Sequence, residues 1–388
     1  MSFFHAGKIR VMLIGGGGRE HAIAWSLSKS PKVELIICAP GNGGTARGST
    51  KIKNCDPDIK ATDLTGLLGV AETHRVDLVV PCSDSSIISG AVDFFETRGF
   101  RVFGPSKKAA KIEGSKSWAK AFMERHKIPT ASYQSFSSPS EASLFLQSQS
   151  TSRHVVKASG LAAGKGVFLC NTKEEAEDAV NKLMVERVFG EAGEEIIIEE
   201  FLVGRELSVT IITDGKVWRL FPVGQDAQRI YDGNLGPNTA TVDGPKLLEY
   251  NARFGDPEAQ ALFPLLDDAS DLADIMIACT EAQLERVHME FQPKAAISLV
   301  VASSGYPGAY RVGEFIDFGS LPQDVFVFHA GTSWAGDRLV TQGGRVLAVV
   351  CIADSTEEAI KGAYSGAQEI IFKGKYLRTD IGQILSSW

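Results

Sequence analysis

From residue 8 to residue 105 the chain alternates short apolar runs with amphipathic stretches: IRVMLIG, HAIAWSL, VELIICA, LTGLLGVAETH, VDLVVP, IISGAVDFFETRG and FRVFGP. This strand-helix rhythm predicts a doubly wound parallel sheet for the N-terminal third. Ligands of such sheets gather at the carboxyl ends of the strands. The glycines after Ile14 and the PGNGGTA loop after Ala39 would both sit there and share one site.

The rhythm changes after Gly104-Pro105. Ser106 can cap a helix, and the amphipathic segment through Arg125 stops before KIPTASY, whose proline ends helix propagation. From HVVKASGLAAGKGVFLC onward the strand-like EIIIEEFL, ELSVTIIT, VWRLFPVG and KLLEYN dominate, with one helix near Glu174 to Val185, which predicts an α+β region. The strands AISLVVAS, VFVFHAGT and GRVLAVVCIA and the helical STEEAIKGAYSGAQEI predict a small β-rich third part. With 388 residues the chain exceeds one ordinary core. The expected domains are an α/β substrate-binding domain over 1–105, a central domain over 106–292 and a C-terminal domain over 293–388.

Several function classes drop out on charge and composition. A net charge of -7 without a basic block opposes nucleic-acid binding. No apolar run approaches the roughly 18 residues of a membrane span, and MSFFHAGK lacks the features of a signal peptide, so the cytoplasm is expected. Six scattered cysteines without a C-x-x-C pair argue against zinc and disulfides. The ligand should be small.

Three stretches carry chemistry. In IGGGGREHA, Gly15-x-Gly17 is followed by Glu20, and the second strand ends in Cys38-Ala39-Pro40, so the third glycine and the acid of a dinucleotide site are missing. What remains is a glycine turn whose N–H groups and following helix could hold an anion beside Arg19 and His21, or a plain strand-helix turn. KASGLAAGKGV brackets a glycine-rich hairpin with Lys157 and Lys165, suited to phosphate oxygens, yet its spacing is not that of a Walker loop. A plain β-turn with solvated lysines is the alternative. In LLEYNARFGDPE a strand period would put Glu249 and Asn251 on one face, as a Mg²⁺ shared with nucleotide phosphates requires, with Arg253, Asp256 and Glu258 following. In IIIEEFLVGRELSV backbone groups could take an adenine edge and Glu206 a ribose hydroxyl. No Ser-His-Asp or zinc spacing is evident. Positioning two substrates against ATP and Mg²⁺ needs no protein nucleophile and fits better.

In their order, IGGGGREHA, PGNGGTA, GPS…SK…FM…IPT, VVKASGLAAGKGV, IIEEFLVGRELSV, GPNT, LEYNARFGDPE, SSGYPG, VFHAGT and GGRVLAV resemble the phosphoribosylamine–glycine ligases, members of the ATP-grasp family. The resemblance runs over nearly the whole chain and makes 106–292 an ATP-grasp domain with a mobile subdomain at about 127–197. It implies that ATP phosphorylates the glycine carboxylate and that the amine of 5-phosphoribosylamine attacks the acyl phosphate, within purine synthesis. The implied partners are these two small substrates, with neither nucleic acid nor membrane, and membership in a longer purine-pathway fusion stays open.

Carried over residue by residue, Lys116, Lys157, Gly164, Lys165, Gly166, Glu199, Glu200, Phe201, Leu202 and Glu206 would hold ATP, and Glu249 and Asn251 the Mg²⁺ or Mn²⁺. Arg253 and Asp256 would act beside glycine. Phosphoribosylamine would be faced by Gly17, Gly18, Arg19, Glu20, Pro40, Gly41, Asn42, Asp226, Arg229, His329, Gly331, Thr332, Gly344 and Arg345.

Three departures stand out. The usual Gly-Pro-Glu-x-Pro-Leu is CSDSSI at Cys82 to Ile87, and Asp-His-Lys-Arg is Asp226-Ala227-Gln228-Arg229. After GPNT a Gly-Gly-Met-Gly loop and a helical segment are expected, but Ala240 runs directly into TVDGPKLLEYN, so either a stretch is left out or the chain is truly shorter. Another ATP-grasp ligase or carboxylase, and a nucleotide-binding relative without turnover, are the competing readings.

Overall fold

The computed structural model describes residues 7–162, 165–225 and 244–382. Contacts divide the chain into two compact units, Met1–Lys107 with Ser208–Asp226 and Arg253–Trp388, and Lys108–Leu207 with Ala227–Ala252.

In the first unit β1 (Ile9–Gly15), β2 (Val33–Pro40), β3 (Ile52–Asn54), β4 (Leu78–Pro81) and β5 (Arg101–Val102) form a sheet of order β3-β2-β1-β4-β5. Every neighbouring pair is parallel, the doubly wound arrangement that the strand-helix rhythm predicts. β1 reads as an unbroken apolar run because both faces are covered. Val11 and Leu13 enter one core cluster while Met12 and Ile14 enter another. The strand order turns at β1, so the loops after β1 and β4 flank the switch point where ligands of such sheets bind.

The C-terminal part builds an antiparallel sheet in the order Val325–His329, Arg345–Ala353, Ala295–Ser303 and Lys375–Tyr376. Its central strand is also buried on both faces, and the period of two sorts its residues. Leu347, Val349 and Cys351 join Ala359, Ala363 and Ala367 of the helix Thr356–Gln368. Ala348 and Val350 instead join Val11, Ile23 and Leu27 of the N-terminal part and Phe263 and Met276 of the 253–292 segment. The N- and C-terminal parts therefore share one core through the helix α1 (Gly18–Lys29), whose Trp25 meets Phe326 and Phe328 edge-on at 5.2 and 5.7 Å.

In the second unit β6 (Tyr133–Phe136), β7 (His154–Ala158), β8 (Val167–Cys170) and β9 (Ile196–Glu200) form an antiparallel sheet of order β6-β9-β7-β8. Val156, Ala158, Ile196 and Ile198 pack under the helices Pro139–Ser148 and Lys173–Val180 with Ala142, Leu146 and Ala176. Alternation then turns Lys157 and Glu199 to the opposite face. The expected helix over Glu174 to Val185 is the helix Lys173–Val180 continued by a wider turn at Asn181–Val185.

The expected strand KLLEYN is absent. Among the described residues 244–252 the one ladder contact is an isolated bridge from Leu247 to Thr130, with Leu247 N–H donating to Pro129 O at 2.7 Å. A strand needs a partner along its length, and here one residue has it. ELSVTIIT and VWRLFPVG likewise break into short strands, among them the antiparallel pair Ile211–Thr213 and Trp218–Leu220.

Candidate functional site

Two clusters of charged side chains form, one in each unit. In the first, β1 ends at Gly15 and α1 starts at Gly18, leaving a two-residue turn. A side chain at Gly16 would drive its Cβ to 2.5 Å from the Gly41 carbonyl, and Gly41 has φ +77°, so these two glycines let the loops after β1 and β2 touch. Asn42 locks the contact. Its Nδ2 donates to Gly16 O, Gly17 O and His329 O at 3.1, 3.2 and 2.7 Å, and its Oδ1 accepts from Gly44 and Thr45 N–H, capping the short helix α2 (Gly43–Arg47).

Glu20 is 2% exposed and is spent within the loop. Its carboxylate accepts from Gly17 N–H at 2.5 Å and from Arg19 Nε at 2.7 Å. It thus caps α1 and fixes Arg19. Burial works against the charge of Arg19, but Glu20 and Asp256 outweigh it and hold the guanidinium protonated. Arg19 Nη1 reaches Phe254 O at 3.1 Å and lies 3.5 Å from Asp84 Oδ1, and Arg253 Nε donates to the same Asp84 oxygen at 2.6 Å. Asp256 Oδ1 accepts from Gln260 at 2.7 Å, and Arg345 donates from Nη1 to Asp256 O at 2.8 Å. Three arginines and three acids interlock here.

The C-terminal segment closes the cluster. His329 N–H donates to His21 Nδ1 at 2.8 Å, and His329 Nδ1 lies 3.1 Å from Thr332 Oγ1, which accepts from Gly43 N–H at 3.2 Å. Burial, aided by His329, pushes the His21 imidazole down to about 3, and burial pushes His329 down to about 4, so both are neutral. Gly331 donates to Arg345 O at 2.9 Å, and a Cβ there would meet Gly343 Cα at 2.5 Å. Gly344 abuts the Tyr306 ring. Gly17, Gly18, Arg19, Asn42, Arg253, Asp256, His329, Thr332 and Arg345 are thus brought together, with Pro40 and Gly41 in the loop beneath.

In the second unit Lys157 Nζ pairs with Glu199 Oε2 at 2.9 Å, and Lys120 Nζ lies 3.2 Å from Oε1 while donating to Thr130 at 2.6 Å. Burial opposes the charge of Lys157, but Glu199 and Glu249 outweigh it and raise its pKa. Lys116 opens the helix Lys116–Arg125, its N–H donating to Ser159 O at 2.8 Å. Burial lowers its pKa, with Glu249 working the other way. Glu199 and Glu249 thus act on the charge of both lysines. Glu206 also acts on Lys157.

The other expected nucleotide residues are more dispersed. Glu199 is 3% exposed and serves the two lysines. Glu200 accepts from Lys246 at 2.8 Å and from Ser132 N–H at 3.0 Å. Phe201 carries the Arg153 guanidinium at 3.8 Å, Leu202 follows in irregular backbone, Lys165 is exposed and Gly166 is buried. Asn251 is exposed and Glu249 half-buried, and the strand expected to carry the pair is not formed. Gly164, Asp226 and Arg229 lie outside the described residues. Among the described residues no three His, Cys, Asp or Glu side chains gather to hold a metal. Mg²⁺ is ordinarily held by one or two carboxylates together with substrate phosphates, so the half-buried Glu249 still fits a metal-nucleotide complex.

Sequence reasoning passed over Asp84, Lys120 and Gln260. Lys120 lies on an amphipathic helix and reads as solvated, and only burial marks it. Asp84 could have been found. CSDSSI keeps an acid at the place of the glutamate in Gly-Pro-Glu-x-Pro-Leu.

Family models for phosphoribosylglycinamide synthetase match the chain in three parts: the N domain over residues 9–113, the ATP-grasp (A) domain over 114–242 and the C domain over 296–384. The phosphoribosylamine–glycine ligase of Chlorobaculum tepidum is 40% identical, covering 96% of this chain and 99% of its own. A bifunctional purine biosynthetic protein of Pichia angusta is also 40% identical over 96% of this chain, which spans about half of that relative, 53%. Both alignments run over 425 positions, more than 96% of 388 residues can fill, so these relatives carry residues with no counterpart here. The crystal structure of phosphoribosylamine–glycine ligase from Thermotoga maritima superposes with a TM-score of 0.78 at 29% identity, covering 96% of this chain and all of that one. The biotin carboxylase domain of the Hydrogenobacter thermophilus 2-oxoglutarate carboxylase follows the same fold, at a TM-score of 0.73 and 14% identity, covering 96% and 92%.

Proposed function

The chain belongs to the phosphoribosylamine–glycine ligase family, ATP-grasp enzymes of purine biosynthesis, and from that premise we propose that it joins glycine to 5-phosphoribosylamine with these residues. The observation that carries the reading is the buried Lys157, paired with Glu199 at 2.9 Å on the open face of the sheet in the second unit, with Lys116 at the start of the helix Lys116–Arg125 tied to Ser159 O after β7. Lysine ammoniums there neutralise the phosphate oxygens of ATP, and the half-buried Glu249 holds the Mg²⁺ or Mn²⁺ that accompanies them. The bound metal supplies charge neutralisation at the transferring phosphoryl group.

The chain's own residues orient the partners. In the first unit the guanidinium of Arg253 takes the glycine carboxylate, and Asp256, anchored by Gln260 and Arg345, faces the glycine side. The turn at Gly17 and Gly18, with Arg19 pinned by Glu20, receives the ribosyl phosphate at the start of α1. Asn42, His329 and Thr332 hold that loop against the C-terminal segment. The glycine carboxylate takes the γ-phosphoryl group of ATP, which leaves as ADP; attack of the phosphoribosylamine amine on the resulting glycyl phosphate then forms the amide and releases phosphate and a proton.

Among the described residues no helix is long and apolar enough to cross a membrane, and a cytoplasmic site of action fits the reading. The bifunctional relative supports a place in a longer polypeptide as well. The test is ATP turnover by the purified chain with each substrate omitted in turn. ADP should form only when glycine and phosphoribosylamine are both present. ATP binding without ADP release, or turnover driven by bicarbonate in place of glycine, overturns the assignment.

A further inference from the structure

Asp84 opens the helix Asp84–Ser89 directly after β4, at the carboxyl end of the parallel sheet. Ser83 caps that helix, its Oγ accepting the Ser86 N–H at 3.2 Å, so the helix start does not depend on the Asp84 carboxylate. That carboxylate is turned to two arginines from distant parts of the chain. Its Oδ1 accepts from Arg253 Nε at 2.6 Å and lies 3.5 Å from Arg19 Nη1. The same two guanidiniums meet again at the Phe254 carbonyl, 3.1 Å from Arg19 and 3.5 Å from Arg253. Two cations this close repel unless an anion lies between them, and Asp84 is placed there. A guanidinium is planar, so fixing its Nε fixes the plane of the whole fork.

Resting on the reading of Arg253 and Arg19 given above, we propose that Asp84 is a positioning residue for the reaction: one carboxylate aims the arginine of the glycine subsite and the arginine of the sugar-phosphate loop. The two acceptor subsites then depend on a single side chain. Burial opposes ionisation of Asp84, but Arg253 and Arg19 outweigh it and hold the carboxyl below its ordinary range, which keeps the anchor charged. The nucleotide residues Lys116, Lys157 and Glu249 belong to the other unit.

The experiment is steady-state kinetics of the full chain carrying D84N, D84E or R253A, varying glycine, phosphoribosylamine and ATP in turn. D84N should raise KM for both acceptors by about fivefold or more, with a smaller loss in kcat and KM for ATP within about twofold. D84E keeps the charge and displaces it by one methylene, so it should fall between D84N and wild type. Unchanged acceptor KM values in folded D84N overturn the assignment, as does an equal rise for ATP, which general loosening would give. Should D84N lose its near-ultraviolet circular dichroism, D84E decides alone, and a glycine KM identical to wild type overturns the proposal. R253A separates premise from inference. If it leaves glycine KM unaltered, the reading of Arg253 fails whatever Asp84 does; if it raises glycine KM while D84N does not, only the role of Asp84 fails.

Discussion

The two charged clusters are built in opposite ways. In the second unit Lys157 and Glu199 stand on neighbouring strands of one sheet, and alternation alone turns them to the same face. In the first unit Arg19 and Asp84 open the helices that follow β1 and β4, Asp256 lies in the turn before the helix Glu258–Leu262, and His329 comes from a C-terminal segment hundreds of residues from Arg19. The first design concentrates charge on few side chains, so removing one should be severe. The second spreads it over many mutual contacts, so single losses should be graded and specific to one substrate.

Lys157→Met breaks the comparison most strongly. On the proposed reading it removes a cation that meets the ATP phosphates, and it leaves Glu199 with Lys120 as its remaining partner, so kcat should fall by about a hundredfold or more, read by ADP release. A loss below tenfold would place the nucleotide phosphates elsewhere.

The neutral histidines of the first unit give the next effect. Their folded pKa values, about 3 for His21 and about 4 for His329, lie below the ordinary 6.5. The unfolded chain therefore binds more protons below pH 6.5, and the stability these residues contribute is present above that pH and lost as pH falls toward 4. From pH 6.5 to 5.5 the two together should cost about 2 kcal/mol, roughly thirtyfold in the folding equilibrium. Denaturant melts of wild type and His21→Gln check this, since the variant should show a shallower acid slope.

Glu249→Gln sharpens the contrast within the nucleotide cluster. Turnover should fall by at least about tenfold and recover partly at higher metal concentration. Unchanged metal dependence would assign Glu249 to keeping Lys116 and Lys157 in place.

Gly17→Ala is the mildest. The added Cβ would stand 2.8 Å from Glu20 Oε2 and 3.2 Å from Asp256 Oδ2, so it meets the cap of α1 and the glycine side before any phosphate. Titration with glycinamide ribonucleotide should show binding weakened by about three- to tenfold, with ATP affinity unchanged. Loss of ATP affinity would contradict the assignment of Gly17 to the sugar phosphate.

Much of this was legible beforehand. The parallel sheet follows from apolar runs that repeat between amphipathic segments, and the glycine loops from their place after Ile14 and Ala39. The strand expected to carry Glu249 and Asn251 was not, because a ladder needs a neighbouring strand that the local pattern does not supply, and here Leu247 alone is bridged. Glu20 shows another limit. Its position suggests a ligand contact, whereas the N–H of Gly17 three residues earlier claims it first.

The sequence by itself determined what is local: which segments alternate, where the chain turns, and which residue types are available to meet phosphate and metal. These depend on side-chain period and backbone freedom over a few residues. Only the tertiary structure decided the partners. That Ala348 and Val350 pack with Val11 and Ile23, that His21 faces His329, and that Asp84 joins Arg19 to Arg253 are pairings across long stretches of chain. Such pairings are fixed by the packing of whole elements into a shared core, where buried charges persist only beside a partner that the fold delivers.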